Sequence, residues 1–215
     1  MSTSYDCPLC SSQTYPYWED KRRRYYGCEQ CGMVHVPSEF WVSENEEKAI
    51  YDLHDNQIDD QGYRRFLSRV FDPLNKLLPA NSSGLDFGCG PGPALAAMLE
   101  EAGHSVSLYD IFYYPDSAVL NRQYQFITAT EVVEHLSQPK QELERLWRCL
   151  EPGGLLGIMT KKVQDKEAFS RWHYKNDLTH ICFFAERSFE YLSEQWGADI
   201  VHTGKDVIIF KKPVS

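Results

Sequence analysis

A nine-residue segment, 85–93, constrains the fold of this chain more than any other. In it, an apolar run leads into three glycines at alternate positions, Gly88, Gly90 and Gly92, and a stretch rich in Ala, Leu and Met follows to Ala102. Because glycine has no side chain, its backbone can approach a ligand closely. The first N–H groups of a helix lack partners within the helix and suit an anion. The segment therefore predicts a strand, a turn and a helix that together bind a nucleotide-type cofactor.

The glycine spacing and two carboxylates indicate which type of nucleotide-like cofactor the segment binds. A dinucleotide fingerprint reads G-x-G-x-x-G, whereas the glycines here read G-x-G-x-G. Asp86, just before the first glycine, would repel a pyrophosphate but suits a ligand that carries an ammonium group. A second apolar run, 105–109, ends at Asp110, where a carboxylate can accept hydrogen bonds from both hydroxyls of a ribose. These features disfavour a nicotinamide-dependent oxidoreductase.

Two further motifs follow in an order that resembles class I S-adenosylmethionine-dependent methyltransferases. Residues 125–136 contain an E-x-x-E-H segment, and residues 150–160 contain an L-x-P-G-G turn followed by an apolar run. With the glycine segment, the resemblance covers residues 60–212 and implies S-adenosylmethionine as the cofactor. The positions that it assigns to cofactor binding are Asp86, Gly88, Gly90 and Gly92 for the amino-acid end, Asp110 for the ribose, and Glu131 and Tyr63 nearby.

The alternation of strand and helix patterns predicts an α/β fold. We expect a Rossmann-like, doubly wound, mostly parallel sheet that ends in an antiparallel C-terminal hairpin. Only 14 residues separate Asp110 from Gln125, so the third strand is expected as a short stub at 118–120. We expect residues 81–215 to form the cofactor-binding domain and residues 41–80 to form a helical linker that covers the cofactor.

The first 40 residues carry two C-x-x-C pairs, Cys7 with Cys10 and Cys28 with Cys31. This spacing is typical of a zinc site in which two tight turns supply four thiolates. Two short strand patterns between the pairs complete a segment that resembles a zinc ribbon. Since all four ligands are cysteines, the predicted site is structural. A basic run, 21–24, lies on this module, and we interpret it as a solvated hairpin tip, with an RNA contact as the alternative.

Composition limits the partners of the chain. The formal charge of −9 over 215 residues argues against a large nucleic-acid footprint, which would need a basic face. The N-terminal residues lack a basic region followed by an apolar stretch, and no apolar run approaches the roughly 20 residues that span a bilayer. Seven cysteines without an export signal favour metal ligands and free thiols. We therefore expect a cytoplasmic protein that does not bind membranes; the sequence does not define its oligomeric state.

Candidates for the methyl-accepting side lie after the fourth and fifth predicted strands, where open α/β sheets bind ligands. We expect His180, His173 or Glu131 to remove a proton from the acceptor, because imidazole and carboxyl groups can serve as bases near neutral pH. The aromatic residues of the same loop are expected to form a pocket that stacks on a flat substrate: Trp172, Tyr174, Phe183 and Phe184.

These features predict a methyltransferase that acts on oxygen or carbon of a small aromatic, quinone-like or sugar-derived acceptor. Two alternatives stay open. One is a methyltransferase that acts on RNA or protein through the zinc ribbon, and the other is a non-catalytic scaffold that binds the cofactor. The segment after the fourth strand lacks the Pro-Pro-Tyr/Phe pattern of enzymes that methylate amino groups of bases, which disfavours a nucleic-acid substrate.

Overall fold

The computed structural model describes residues 5–53 and 57–214, which form two sheets with helices packed around the larger one. The strands are β1 (Tyr15–Glu19), β2 (Arg24–Gly27), β3 (Val34–His35), β4 (Ser83–Phe87), β5 (Ser105–Tyr109), β6 (Tyr124–Thr130), β7 (Leu150–Met159), β8 (Cys182–Phe183), β9 (Asp199–Thr203) and β10 (Val207–Lys211). The α-helices are α1 (Glu44–Tyr51), α2 (Gln61–Leu77), α3 (Ala94–Glu101), α4 (Pro139–Arg148), α5 (Lys166–Ser170) and α6 (Glu186–Trp196).

The larger sheet has six strands in the order β5-β4-β6-β7-β10-β9. The first four strands are parallel, and β10 and β9 add the antiparallel C-terminal hairpin. The mostly parallel α/β fold expected from the sequence is therefore confirmed. The chain order reverses between β5-β4 and β6-β7, so the loops that follow β4 and β6 diverge and leave a crevice at the carboxyl edge of the sheet.

The prediction of a third strand at 118–120 is wrong. These residues lie in a 3₁₀-helix, Ser117–Asn121. Asp116 caps this helix, because its side chain accepts a hydrogen bond from the Ala118 amide. The physical reason is length, since a parallel crossover needs a dozen or more residues on each side of an added strand. Val119 and Leu120 are nevertheless buried, so the apolar pattern that suggested a strand covers the sheet edge as a helical turn.

The smaller sheet joins the N-terminal residues to a distant part of the chain. Its order is β1-β2-β3-β8, and β8 pairs with β3 through Val34 opposite Phe183 and His35 opposite Cys182. Cysteines of the N-terminal module belong to the same buried apolar cluster as residues of helix α4 and of strands β4 and β6 in the larger sheet. The N-terminal module and one face of the larger sheet therefore share a core.

The opposite face of the larger sheet is covered by α2 and α3, which pack through a second apolar cluster. Leu67, Val70 and Leu74 of α2 are fully buried, as their 3.6-residue spacing predicts. The helix α1 begins at a capping box in which Ser43 and Glu46 exchange hydrogen bonds, as the sequence indicates. Among the described residues, no helix is long and apolar enough to cross a membrane.

Candidate functional site

A cavity of about 720 Å³ opens at the carboxyl ends of β4, β5 and β6. One end is lined by the loops that follow these strands, at 88–91, 109–113 and 130–132. The other end is lined by residues 135–138 and 177–181, and α1 covers part of it. The volume is within the range of small-molecule sites, about 300–1,000 Å³.

The glycine loop has the backbone conformation that its sequence requires. Gly88 and Gly90 have φ values of 70° and 65°, a region that side-chain-bearing residues rarely adopt. A Cβ on Gly88 would lie 2.3 Å from Cγ2 of Val132, whereas a Cβ on Gly90 would meet no described atom within 4 Å. Gly88 is thus needed for packing. Gly90 leaves an open cradle in the cavity wall that a ligand can fill.

Asp110 lies beside this cradle at the end of β5. Its Oδ2 accepts a hydrogen bond of 3.0 Å from the Gly90 amide, and its Oδ1 accepts hydrogen bonds of 2.9 and 3.1 Å from the amides of Phe112 and Tyr113. These bonds fix the carboxylate at the cavity wall and use three of its roughly four acceptor positions. The structure therefore brings Asp110 and the glycine loop together, as expected from the sequence.

Asp86 and Gly92 lie behind the loop rather than in the cavity lining. Oδ1 of Asp86 accepts a hydrogen bond of 2.7 Å from Thr128 Oγ1, and burial raises the pKa of Asp86 to about 7. The Gly92 carbonyl accepts a hydrogen bond of 2.8 Å from the Ala94 amide at the start of α3. Tyr63 of α2 does line the cavity, and burial raises its pKa to about 12.

Glu131 stands between the two ends of the cavity in a left-handed backbone conformation, with a φ of 51°. Its amide donates a hydrogen bond of 2.8 Å to the Met159 carbonyl. Its Oε1 and the neighbouring Thr130 Oγ1 are buried without a hydrogen-bond partner among the described residues. Burial, with Glu134 nearby, raises the pKa of Glu131 to about 8. Buried polar atoms without partners mark a place where a ligand or water can bind.

His180 lines the other end of the cavity and is buried. Its Nδ1 lies 2.8 Å from the Tyr174 carbonyl oxygen and therefore carries the proton of that hydrogen bond. Its Nε2 lies 3.8 Å from Oδ2 of Asp177. Burial lowers the pKa of His180 to about 4, so the ring is neutral at pH 7 and presents an Nε2 lone pair.

His173 and the aromatic residues of the same loop do not line the cavity. His173 is exposed, and its Nε2 lies 3.3 Å from Nζ of Lys161. The expectation of an aromatic substrate pocket built from this loop is wrong. Its rings instead belong to an aromatic cluster in which Phe183 contacts Tyr25 of the N-terminal module. The residues of this cluster are Tyr17, Tyr25, Phe169, Trp172, Tyr174 and Phe183.

The four cysteines of the N-terminal module converge on one point. Their sulfur atoms all lie within 4.8 Å of one another, with 3.5 Å between Cys7 and Cys31 and 3.3 Å between Cys10 and Cys28. Four thiolates at about 2.3 Å from one zinc ion would be about 3.8 Å apart. None of them is in a disulfide. The arrangement fits a tetrahedral metal site.

The two cysteine turns have matching hydrogen bonds. Cys7 accepts from the Ser11 amide and donates to the Ser12 carbonyl, and Cys28 accepts from the Gly32 amide and donates to the Met33 carbonyl, all at 2.8–2.9 Å. Ser11 and Gly32 both have positive φ, 62° and 71°. Two related turns of this kind point four thiol groups inward. Gly32 signals such a turn in the sequence, whereas Ser11 does not.

Arginines of the basic run 21–24 form hydrogen bonds or ion pairs with other residues of the protein. Arg23 is buried and donates to carbonyl oxygens of residues 175, 177 and 178. Arg24 forms an exposed ion pair of 3.0 Å with Glu19. The run therefore offers fewer free cations than its sequence suggests. The interpretation of a solvated hairpin tip fits exposed Arg22 and Arg24 but is wrong for Arg23, which the carbonyl groups of residues 175, 177 and 178 draw into the fold.

Sequence reasoning missed several residues of the cavity wall. Trp41, Glu47 and Tyr51 line it from α1 and the segment before that helix. The capping box predicted α1, but no local signal shows where a helix docks. His135, in the E-x-x-E-H segment, also lines the cavity.

The fold and this site define a class I methyltransferase that uses S-adenosylmethionine. A family model described as a methyltransferase domain matches residues 57–203, more than half of the chain. The chain therefore belongs to this methyltransferase family, and the family resemblance seen in the sequence is confirmed.

Solved structures with similar folds share little sequence with this chain. The Burkholderia thailandensis 1,6-didemethyltoxoflavin-N1-methyltransferase, with 1,6-didemethyltoxoflavin and S-adenosylhomocysteine bound, is 16% identical with a TM-score of 0.55, over 92% of this chain and 99% of that chain. An O-methyltransferase family protein from Burkholderia thailandensis is 12% identical with a TM-score of 0.54, over 79% and 63% of the two chains. At these identities the likeness shows the fold. A search of curated proteins gives no significant match.

Proposed function

We propose that this enzyme transfers the methyl group of S-adenosylmethionine to an oxygen or carbon atom of a small aromatic, quinone-like or sugar-derived acceptor. One observation carries the proposal: a continuous cavity runs from the glycine loop and Asp110, past Glu131, to His180. Such a cavity can hold a cofactor and an acceptor side by side, with the reacting atoms enclosed. The structurally similar methyltransferase from Burkholderia thailandensis, which has 1,6-didemethyltoxoflavin bound, supports a small-molecule acceptor.

The residues present fit the cofactor. The open cradle at Gly90 allows close approach of a ligand to the backbone, and Asp110 holds a carboxylate beside it. In this proposal Asp110 binds the ribose hydroxyls, while Gly88, Gly90 and Gly92 shape the loop and Asp86 supports the amino-acid end from behind. Tyr63 closes the site from α2, and residues 41–53 and 57–80 act as its cover. S-adenosylmethionine supplies a methyl group that is already activated on a sulfonium.

Glu131 is the group that we assign to proton removal. It faces the cavity between the cofactor and acceptor ends, and its Oε1 has no partner among the described residues. As the acceptor's electron pair forms the bond to the methyl carbon, its proton passes to Glu131 and the carbon–sulfur bond breaks to leave a neutral thioether. A carboxylate whose pKa is raised to about 8 by burial is a stronger base than an ordinary one. His180 then contacts the acceptor, and exposed His173 has no catalytic role.

We also propose that Cys7, Cys10, Cys28 and Cys31 hold a structural zinc ion. Four thiols within 4.8 Å of one another form the donor set that zinc prefers. An ion surrounded by four protein ligands has no open position for substrate. It would stabilise the module that packs against the acceptor side of the enzyme.

Methylation of RNA or protein through the N-terminal module has less support. Arg23 is buried and bonded to backbone carbonyls, and Arg24 forms an exposed ion pair with Glu19, so the basic run offers less positive charge for phosphate contacts than its sequence suggests. A non-catalytic scaffold would need no base beside the cofactor. The presence of Glu131 in this cavity therefore favours an enzyme.

The test is transfer of label from S-adenosylmethionine carrying a radioactive methyl group. The purified enzyme is incubated with separate small-molecule, RNA and protein fractions of a cell extract, in parallel with Glu131→Gln. We expect label in the small-molecule fraction with the native enzyme and not with the variant. Label in RNA or protein would contradict the proposed acceptor class. Binding of S-adenosylhomocysteine without labelling of any fraction would favour the scaffold.

A further inference from the structure

A second cluster of metal-ligating side chains lies at the acceptor end of the cavity. Glu134 and His135 belong to the 3₁₀-helix that follows β6, Val133–His135, and His180 comes shortly before β8. The Ile181 amide donates a hydrogen bond of 2.9 Å to the Glu134 carbonyl and joins the two segments. One potential ligand atom from each of the three side chains lies within 4.8 Å of the other two.

Both histidines have the tautomer that metal coordination requires. Nδ1 of His180 lies 2.8 Å from the Tyr174 carbonyl oxygen, and Nδ1 of His135 lies 3.1 Å from the Thr179 carbonyl oxygen. Since a carbonyl oxygen only accepts hydrogen bonds, both Nδ1 atoms carry a proton, which leaves Nε2 of each ring as the atom that would bind a metal. Metal-bound histidines almost always donate their second ring N–H to a carbonyl or carboxylate in this way.

Glu134 provides an independent observation that points to a ligand. Its side chain is completely buried, and its Oε2 has no hydrogen-bond partner among the described residues. Its Oε1 accepts a hydrogen bond from the Tyr174 hydroxyl. A buried carboxylate oxygen without a donor is costly unless a cation or a proton donor binds it. A metal ion between Glu134 and the histidines removes this cost.

Asp177 extends the cluster on the side of His180. Its Oδ1 accepts hydrogen bonds of 2.9 and 2.7 Å from the Thr179 amide and hydroxyl, and its Oδ2 lies 3.8 Å from Nε2 of His180. Metal–nitrogen and metal–oxygen bonds of about 2.0–2.2 Å place two ligands of one ion about 3–4 Å apart. The distance between Asp177 Oδ2 and His180 Nε2 is therefore that of two atoms that bind the same ion. To bind one ion, the ligand atoms of Glu134, His135 and His180 need to move closer together by less than about 2 Å.

We propose that Glu134, His135 and His180 bind one divalent transition-metal ion, with Oδ2 of Asp177 beside it. Two imidazoles and one carboxylate suit zinc, iron, cobalt or nickel and leave coordination positions open. His135, Asp177 and His180 line the cavity, so an open position faces the space assigned to the acceptor. On the basis of the proposed function, an acceptor oxygen bound there would ionise more readily, which favours methylation of oxygen over carbon.

The experiment is a titration of protein that already holds one zinc ion per chain with Co²⁺, followed by optical absorption. Cobalt in the new site gives visible d–d bands, whereas cobalt that displaces zinc from the cysteines adds a near-ultraviolet thiolate charge-transfer band. We expect one equivalent of Co²⁺ to bind with d–d bands alone. Glu134→Gln and His180→Gln should weaken this binding at least tenfold, and His173→Gln, in the same loop but outside the cluster, should bind like the native protein.

A measurement on the native protein covers the case in which a variant fails to fold. The Nδ1–H protons of cobalt-bound His135 and His180 should give two strongly shifted exchangeable signals in proton magnetic resonance, since both are held by carbonyl oxygens. Failure of the zinc-loaded protein to bind one equivalent of cobalt, or absence of both signals, would overturn the proposal. Binding of S-adenosylhomocysteine is measured on the same samples. Cofactor binding without cobalt rejects the metal site alone, and cobalt binding without cofactor rejects the proposed function.

Discussion

The guanidinium group of Arg23 donates a hydrogen bond of 2.7 Å from Nη2 to the backbone carbonyl of Asp177. The same group donates to the carbonyls of Lys175 and Leu178, at 2.6 and 3.0 Å, and its Nε donates to the Tyr25 hydroxyl. Arg23 comes just before β2 in the N-terminal module, whereas Asp177 lies at the acceptor end of the cavity. The module therefore holds the loop that presents Asp177 and His180.

Replacement of Arg23 should weaken binding of the acceptor and leave binding of the cofactor unchanged. In Arg23→Gln, three backbone carbonyls lose a charged donor, and hydrogen bonds to charged groups are worth about 1.5–3 kcal/mol each. We expect the free energy of unfolding to fall by at least about 2 kcal/mol, with a raised KM for the acceptor. Chemical denaturation and steady-state kinetics measure the two effects.

Arg22→Gln is the matched control for Arg23→Gln, because Arg22 is an exposed neighbour in the same run. It should change the free energy of unfolding by less than about 0.5 kcal/mol. If both substitutions weakened RNA binding equally and left stability unchanged, the basic run would be a nucleic-acid contact instead.

Loss of the proposed zinc ion should destabilise the protein. Cys28→Ser removes one of four thiolates and should lower the zinc content well below one ion per chain, because the remaining ligands bind far more weakly. Cys149→Ala, a buried cysteine outside the cluster, should keep one zinc ion. Elemental analysis after gentle purification gives both values. A native protein without zinc, folded and insensitive to chelators, would contradict the structural role.

Asp86 should make stability depend on pH. Burial raises its pKa from an ordinary value of 3.8 to about 7, so the folded state binds this proton more tightly than the unfolded state does. The contribution of this proton to the free energy of unfolding is therefore fully present below about pH 4. It is lost as the pH rises towards 7, and each unit of difference between the folded and unfolded pKa values is worth about 1.4 kcal/mol. Asp86→Asn, which can still accept from Thr128, should become increasingly more stable than the native protein over this range.

Urea denaturation at pH 5 and pH 8 measures the Asp86 effect as a difference between the two proteins, which cancels other titrations. A difference that does not change with pH would contradict the burial argument. Since Asp86 is proposed to support the amino-acid end of the cofactor, the same variant should bind S-adenosylhomocysteine more weakly. Stability gained at the expense of function is common at binding sites.

Glu131 should control the pH dependence of turnover. A base must be deprotonated to accept a proton, so log kcat should rise with pH and level off above about pH 8, the raised pKa of this group. Glu131→Gln should lower kcat by about 10²–10⁴-fold, whereas exposed Glu190→Gln should not. A rate that falls between pH 6 and pH 8 would exclude Glu131 as the base.

Much of this architecture could be predicted because its signals are local. The glycine loop, Asp110, the C-terminal hairpin and the capping box at Ser43 each depend on a few neighbouring residues. The residues that were misplaced depend on long-range packing. Trp172 and Phe183 look like pocket residues in the sequence, but Phe183 packs against Tyr25 of β2 and Trp172 packs against Phe183. Arg23 looks like a surface cation because its carbonyl partners lie about 150 positions away.

The acceptor side was the hardest part to predict for the same reason. Glu134 and His180 are 46 positions apart in the sequence, and only the fold shows that a ligand atom of each lies within 4.8 Å of the other. The choice between His173 and His180 also needed the structure. Both follow the fifth predicted strand, but one is exposed and the other is buried in the cavity wall.

The central claim is that the glycine loop and Asp110 bind S-adenosylmethionine, and thermal unfolding with added ligands tests it most directly. S-adenosylhomocysteine at 100 times its dissociation constant should add about 2.7 kcal/mol of stability, or several degrees. NADH should add none. Asp110→Ala should weaken S-adenosylhomocysteine binding more than tenfold, about 1.4 kcal/mol, whereas exposed Asp199→Ala should not. A shift with NADH alone, or equal affinity in Asp110→Ala, would contradict the account.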